Sequence, residues 1–143
     1  MDIYCINTPD GFKPCDDSDY EKKCRLKLWG TYKMKVSLAR NYEFHKKYFK
    51  LISLAWEYLS EGKQAFFGSK ESFRKTVEVA AGHVERVYNA TDKVWLELPK
   101  SVSFDSMSGD EFAELYENVK NVLLNMFIGK KSEKEFINAL IHF

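Results

Sequence analysis

The chain has few cysteines and no grouped glycines, which excludes several classes of small protein. Its 143 residues include only three cysteines, Cys5, Cys15 and Cys24, and none of them forms a C-x-x-C pair. An odd number at these spacings favours neither a closed disulfide framework nor a zinc site. The seven glycines are too scattered to form a phosphate-binding loop. We therefore expect reduced cysteines, as in the cytoplasm.

Long apolar runs are also missing. No stretch approaches the roughly 20 apolar residues that cross a bilayer. The start, Met1 to Tyr4, has neither the basic region nor the apolar region of a secretory signal. The sequence therefore predicts a cytoplasmic protein that has no membrane partner.

No complete catalytic constellation is present. There is no G-x-S-x-G motif and no cysteine in a recognisable catalytic motif. His45 has no second histidine or cysteine at a ligand spacing, so we interpret it as a structural residue at the edge of an apolar stripe. Capping and the helix dipole already explain the acids Asp110 and Glu111. We predict a protein that is not an enzyme, with no catalytic residue, cofactor or metal, and keep a metal-dependent nuclease as an alternative.

The residues that are present predict one compact core. A chain with 45% hydrophobic and 15% aromatic residues has the apolar mass for a single domain, residues 1–143, and no length for two. The formal net charge of +1 conceals a strong segregation of acidic and basic residues along the chain. Residues 1–19 carry five acids and one lysine, residues 20–50 carry ten bases and two acids, and residues 105–117 carry five acids and no base. A protein of neutral overall charge can therefore present a basic face.

Hydrophobic periodicity predicts an α+β fold, in which a small antiparallel or mixed sheet packs against several helices. Alternation of apolar residues with lysine and serine predicts a strand over 32–38, and the hairpin pattern spans 87–98. Capping signals predict helix starts at Ser18, Ser69, Ser108 and Ser132. The other predictions are strands over 2–6 and 101–104, and a helix over 41–61 with the apolar stripe Phe44, Tyr48, Leu51, Ile52, Ala55 and Leu59.

The segment 40–50 is the most informative part of the sequence for function. Basic and aromatic residues interleave there at the start of a helix, directly after the lysine-bearing strand pattern. Cations beside an aromatic stripe suit a polyanion such as nucleic acid. The candidate nucleic-acid-binding residues are Lys33, Lys35, Arg40, His45, Lys46, Lys47 and Lys50.

The run from Arg40 to Phe49, together with segments 73–75, 81–82 and 100–104, resembles a phage and prophage family known as domain of unknown function 1367. The segments occur in order from about residue 30 to the C-terminus. The resemblance implies a variable part over 1–30 and a family-like core over 31–143. It implies no activity, because the family has none assigned.

Two segments are also distantly similar to recombination mediators of the lambdoid Orf type. In the first, Arg40, Lys46 and Lys47 match basic positions and Phe49 falls at a tryptophan, while Asn41 and Phe44 replace a serine and a glutamine. The second segment matches at Ser101, Ser103, Met107, Glu111, Phe112, Ala113, Glu114 and Leu115. The similarity implies a non-enzymatic homodimer in a host bacterial cell that binds single-stranded DNA and cooperates with a single-strand binding protein. The alternative is a phage protein-interaction module that engages a host replication or defence protein.

Overall fold

The structure, a computed structural model, describes residues 1–39 and 41–142. The chain divides into two compact units, Met1–Ala39 and Arg40–Phe143. The described residues form six α-helices and two antiparallel sheets of two strands each. The α+β prediction is therefore confirmed, with two separate small sheets.

The first unit begins with a hairpin. Strand β1 (Cys5–Thr8) pairs with β2 (Gly11–Pro14), a strand that the sequence did not predict. Gly11 has a φ of 112°, which only glycine adopts without strain. Helix α1 (Asp17–Cys24) starts behind Asp16, whose carboxylate accepts a hydrogen bond from the Asp19 amide at 2.9 Å. Asp16 is therefore the cap, in place of the predicted Ser18.

The predicted strand over 32–38 is wrong. Residues 30–39 form neither helix nor strand. Met34, Val36 and Leu38 are 69%, 67% and 78% exposed. An alternating pattern needs a neighbouring strand to complete its hydrogen bonds, and none pairs with this segment in the described part of the chain.

The second unit contains five α-helices and the second hairpin. In chain order these are α2 (Tyr42–Glu57), α3 (Glu61–Phe67), α4 (Lys70–Ala80), β3 (Val84–Asn89), β4 (Val94–Pro99), α5 (Gly109–Val122), a π-helical turn (Leu123–Phe127) and α6 (Glu133–Ile141). Helix α3 was not predicted, and the predicted long helix over 41–61 ends at Glu57. The strand predicted over 101–104 is also wrong, because those residues form a loop and a turn.

The apolar stripe of α2 lies at the centre of the core, as predicted. Tyr48, Leu51, Ile52 and Ala55 are buried, and Phe44 packs at the edge of the same cluster. The stripe belongs to one core with Phe73 and Val77 of α4, Leu115 and Val119 of α5, and Phe136 of α6. Burial of a large apolar side chain stabilises a fold by roughly 1.5 to 3 kcal/mol. These helices therefore hold α2 firmly, with its opposite face directed outward.

Local capping fixes where two helices begin. The Ser108 hydroxyl accepts a hydrogen bond from the Glu111 amide at 3.2 Å, and the Glu111 carboxylate accepts one from the Ser108 amide at 3.0 Å. The predicted capping box of α5 is thus confirmed. Ser69 caps α4 in the same way through the Ser72 amide at 3.1 Å.

The hairpin prediction is confirmed, with longer strands than expected. β3 and β4 pair antiparallel, with Val87 opposite Leu96 and Tyr88 opposite Trp95. Six apolar side chains of this hairpin are exposed: Val87, Tyr88, Val94, Trp95, Leu96 and Leu98. No helix among the described residues combines the length and the apolar character required to cross a membrane.

Candidate nucleic-acid interface

Helix α2 carries three lysines away from its core stripe, two on the opposite side and one on a flank. The 3.6-residue period that buries Tyr48 turns Lys46 and Lys50 outward and sets Lys47 on the flank nearest α5. Glu43 and Glu57 lie on the same outer side. The helix therefore carries a net positive outer face of three bases and two acids.

Two of these lysines lie over aromatic rings. The Lys47 Nζ atom is 4.7 Å from the centroid of the Tyr116 ring on α5, and Lys46 Nζ is 5.9 Å from the Tyr42 centroid. The Tyr116 ring is buried in the core and the Tyr42 ring is half-buried, and a cation held over an aromatic ring gains roughly 0.5 kcal/mol or more. Both ammonium groups are held beside aromatic rings, and in the described part of the chain neither forms a salt bridge with a carboxylate.

A fourth lysine, from the start of α4, joins this face. Lys70 Nζ donates a hydrogen bond to the Ser53 hydroxyl of α2 at 3.2 Å. Across residues 1–39 and 41–142, the salt bridges within 4.0 Å do not involve Lys46, Lys47 or Lys70. We call the group Tyr42, Lys46, Lys47, Lys50, Lys70 and Tyr116 the basic surface.

Arg74 of α4 is also basic, but its guanidinium pairs with carboxylates of its own helix. Its Nη1 atom is 2.7 Å from Oε1 of the buried Glu78, and its Nη2 atom is 3.9 Å from Glu71. The guanidinium also lies 5.7 Å from the centroid of the Phe49 ring. Arg74 therefore acts in packing α4 against α2, and we leave it out of the basic surface.

A buried hydrogen bond fixes α2 against α4 beneath the basic surface. The Tyr48 hydroxyl donates to Glu78 Oε1 at 2.7 Å, and both residues are fully buried. Burial, followed by the charge of Glu78, raises the pKa of Tyr48 well above its ordinary value. Tyr48 consequently remains a neutral donor to Glu78, and this hydrogen bond joins α2 to α4.

His45 lies in an aromatic cluster. Its ring is 4.6 Å from Phe49 and 5.4 Å from Phe104, measured between centroids, and the residue is half-buried. The Asn41 side chain donates to the carbonyls of Phe104 and Met107, so the start of α2 is tied to the 104–107 loop. Phe44 stacks on Phe112 at 4.3 Å. These contacts favour a structural interpretation of His45.

The predicted site residues fall into separate groups. Lys46, Lys47 and Lys50 come together on α2 in the second unit, whereas Lys33 and Lys35 lie on the exposed segment of the first unit. Arg40 lies outside the described residues. Sequence reasoning missed Lys70 and Tyr116, because their contacts with α2 join residues 17 and 69 positions apart.

A cleft of about 370 Å³ lies at the other side of α5. Its walls come from the turn after α4, the 100–107 loop and α5, including His83, Lys100, Glu114 and Asn118. The described residues contain no group of three or more His, Cys, Asp or Glu side chains that could hold a metal ion.

Comparison with known proteins gives one match. A family model described as protein of unknown function (DUF1367) matches residues 10–71 and 62–143. No curated protein and no solved structure matches the chain.

Proposed function

The chain belongs to the family of proteins of unknown function DUF1367, and we propose that it binds single-stranded nucleic acid through the basic surface. One observation carries the proposal. Lys46 and Lys47 of α2 lie over the rings of Tyr42 and Tyr116, Lys70 of α4 contacts Ser53 of the same helix, and none of the three forms a salt bridge within residues 1–39 and 41–142.

This combination of groups suits a single strand better than a duplex. Ammonium groups bind phosphates without selecting a sequence. Stacking of an unpaired base on an aromatic ring adds roughly 1 to 3 kcal/mol per base, and the half-buried ring of Tyr42 is the one on this surface that a base can reach, because Tyr116 is buried. The cations of the basic surface follow the length of α2, from Lys46 to the Lys70 contact with Ser53. The proposal therefore predicts weak sequence preference.

The biological setting is part of the same proposal. Similarity of Arg40, Lys46 and Lys47 to basic positions in Orf-type mediators supports a non-enzymatic accessory role in DNA recombination or replication of a phage or prophage. A single-strand binding protein would then be a partner, and the protein would act in the bacterial cytoplasm.

The proposal is tested by titrating fluorescently labelled oligo-dT with the protein at several salt concentrations. We expect affinity to fall with salt by a slope of about −0.7 per contacted phosphate on the logarithmic plot. Absence of binding at 20 mM salt would refute the proposal.

A matched pair of triple variants locates the site. Lys46→Ala, Lys47→Ala and Lys70→Ala together should weaken binding at least tenfold and reduce the salt slope by about 2, because three phosphate contacts are lost. The control combines Lys130→Ala, Lys131→Ala and Lys134→Ala, which removes the same charge near the start of α6. Equal weakening by both triples would show a general charge effect and contradict the assignment of the site.

A second candidate function is a protein-interaction module, and the exposed β3–β4 hairpin favours it. Trp95 is 60% exposed, and Leu96 lies on the opposite side of the same strand. Aromatic residues are enriched at protein interfaces. Recovery of a bacterial protein by the native chain and its loss with Trp95→Ala, without detectable DNA binding, would favour this alternative.

A further inference from the structure

The β3–β4 hairpin is an incomplete sheet. Neither strand pairs with a third strand among the described residues. A hairpin of two strands is marginal in water, and an open strand edge is a template for another strand. The hairpin therefore offers a place where a further strand would be stabilised.

One face of β4 is an exposed aliphatic row, with Glu85 and Asn89 of β3 opposite its ends. The register of the strands puts Val94, Leu96 and Leu98 of β4 on the same face as Val87 of β3, and each of the four is between 41% and 46% exposed. Covering apolar side chains that are grouped in this way removes their surface from water, which is energetically favourable.

The other face of β4 is different in chemistry. It carries Trp95 and Glu97, with Arg86 opposite Glu97 and 5.7 Å from the Trp95 ring. A strand added at the free edge of β4 would thus meet aliphatic side chains on one face, and an acid and an aromatic ring on the other.

Residues 32–38 have the complementary pattern. Met34, Val36 and Leu38 alternate with Lys33, Lys35 and Ser37 in a segment without helix or strand. In an extended conformation, alternate side chains point to opposite faces. The segment would present aliphatic groups on one face and two ammonium groups on the other.

We propose that residues 32–38 of one copy add as a third strand to the free edge of β4 in a second copy of this chain. The aliphatic row then continues through Met34 and Val36, while Lys33 and Lys35 lie beside Glu97 and Trp95. Opposite charges and a cation near an indole ring both favour this arrangement. A shift of the added strand by one residue would place lysines in the aliphatic row. The alternating pattern is therefore kept only in registers that differ from one another by two residues.

A second copy is the occupant because each chain carries both halves of the contact. Reciprocal exchange of the segment closes a two-fold dimer with two three-stranded sheets, in which the same pair of surfaces is used twice. Main-chain hydrogen bonds supply affinity and the alternating side chains supply specificity, as in other strand additions. The inference does not depend on nucleic-acid binding.

Sedimentation velocity over 1 to 200 µM protein, without DNA, tests the dimer. We expect a reversible dimer whose Kd rises at least tenfold with Val36→Lys or with Leu96→Lys. Val36→Lys alters a segment without secondary structure, so its effect does not depend on the stability of the hairpin. The controls Ser37→Lys and Thr91→Lys add the same charge on the polar face and in the hairpin turn. A monomer throughout, or a dimer unaffected by Val36→Lys, would overturn the proposal.

Disulfide trapping identifies the pairing. In a background with Cys5, Cys15 and Cys24 replaced by serine, a tagged chain with Val36→Cys is mixed with an untagged chain with Leu96→Cys and oxidised. Neighbouring strands bring Cα atoms within the 4.4 to 6.8 Å that a disulfide spans. We expect more of the disulfide between the Val36→Cys chain and the Leu96→Cys chain than of a disulfide between two identical chains. A chain with Met34→Cys in place of Val36→Cys tests the register that differs by two residues. A chain that carries both Val36→Cys and Leu96→Cys tests pairing within one copy. A disulfide that forms only within that chain would show that each chain supplies its own strand, and would overturn exchange between copies.

Discussion

At the scale of single residues, Glu78 has the most demanding environment in the second unit. Its carboxylate is fully buried, and Oε1 accepts hydrogen bonds from the Tyr48 hydroxyl and from Arg74 Nη1, both at 2.7 Å, while Oε2 has no hydrogen-bond partner among the described residues. Burying a carboxylate is costly, and the two donors to Oε1 offset part of that cost. These contacts join α2 to α4, and so they support the two helices that supply the lysines of the basic surface.

We predict that Glu78→Ala lowers the free energy of unfolding by about 3 kcal/mol, because the substitution leaves Arg74 and the Tyr48 hydroxyl without their partner. Urea denaturation followed by circular dichroism measures the change. Glu71→Ala removes an exposed carboxylate from the same helix and should change stability by less than about 0.5 kcal/mol. Equal effects of the two substitutions would contradict the buried network.

Alkaline pH provides a second test of this network. The folded-state pKa of Tyr48 is raised by burial and by Glu78, so the stability that Tyr48 contributes is fully present below its unfolded pKa of about 10. That contribution is lost as pH rises from there toward the folded pKa. Tyr48→Phe cannot ionise, so we expect the variant to lose less stability than the native chain between pH 9 and 11. If Tyr48→Phe and the native chain lost equal stability between pH 9 and 11, the contribution assigned to Tyr48 would be contradicted.

At the scale of elements, Ser108 and Glu111 cap the start of α5. Each caps the other through a backbone amide, at 3.2 and 3.0 Å. We predict that Ser108→Ala lowers the free energy of unfolding by about 1 kcal/mol. Thermal denaturation compared with Ser101→Ala, which alters an exposed serine in the preceding loop, checks this value. An unchanged midpoint for Ser108→Ala would show that packing alone fixes the start of α5.

Elements set by local chemistry could be predicted from the sequence, and elements set by distant partners could not. Ser69 and Ser108 cap helices through amides three residues away, so the sequence contains the whole signal. The alternation over 32–38 identifies two faces but not a pairing partner, and the segment is irregular. Helix α3 was missed because its seven residues bury no side chain, which leaves no apolar period to detect.

At the scale of the whole molecule, the same distinction applies to the candidate site. Helical periodicity was sufficient to group Lys46 with Lys50, because both lie on one helix. Lys70 was missed because its contact with Ser53 requires α4 to pack against α2. The charge totals of the sequence indicated a basic region, and the packing of the helices determines which of its lysines share a face.

Lysine footprinting tests the central claim most directly. The protein is acetylated under limiting reagent with and without saturating oligo-dT, and each lysine is quantified by mass spectrometry. We expect Lys46, Lys47 and Lys70 to be protected at least threefold by the oligonucleotide, while Lys130 and Lys131 react equally in both samples. Equal protection at all five lysines, or protection at Lys130 and Lys131 alone, would contradict the assignment of nucleic-acid binding to the basic surface.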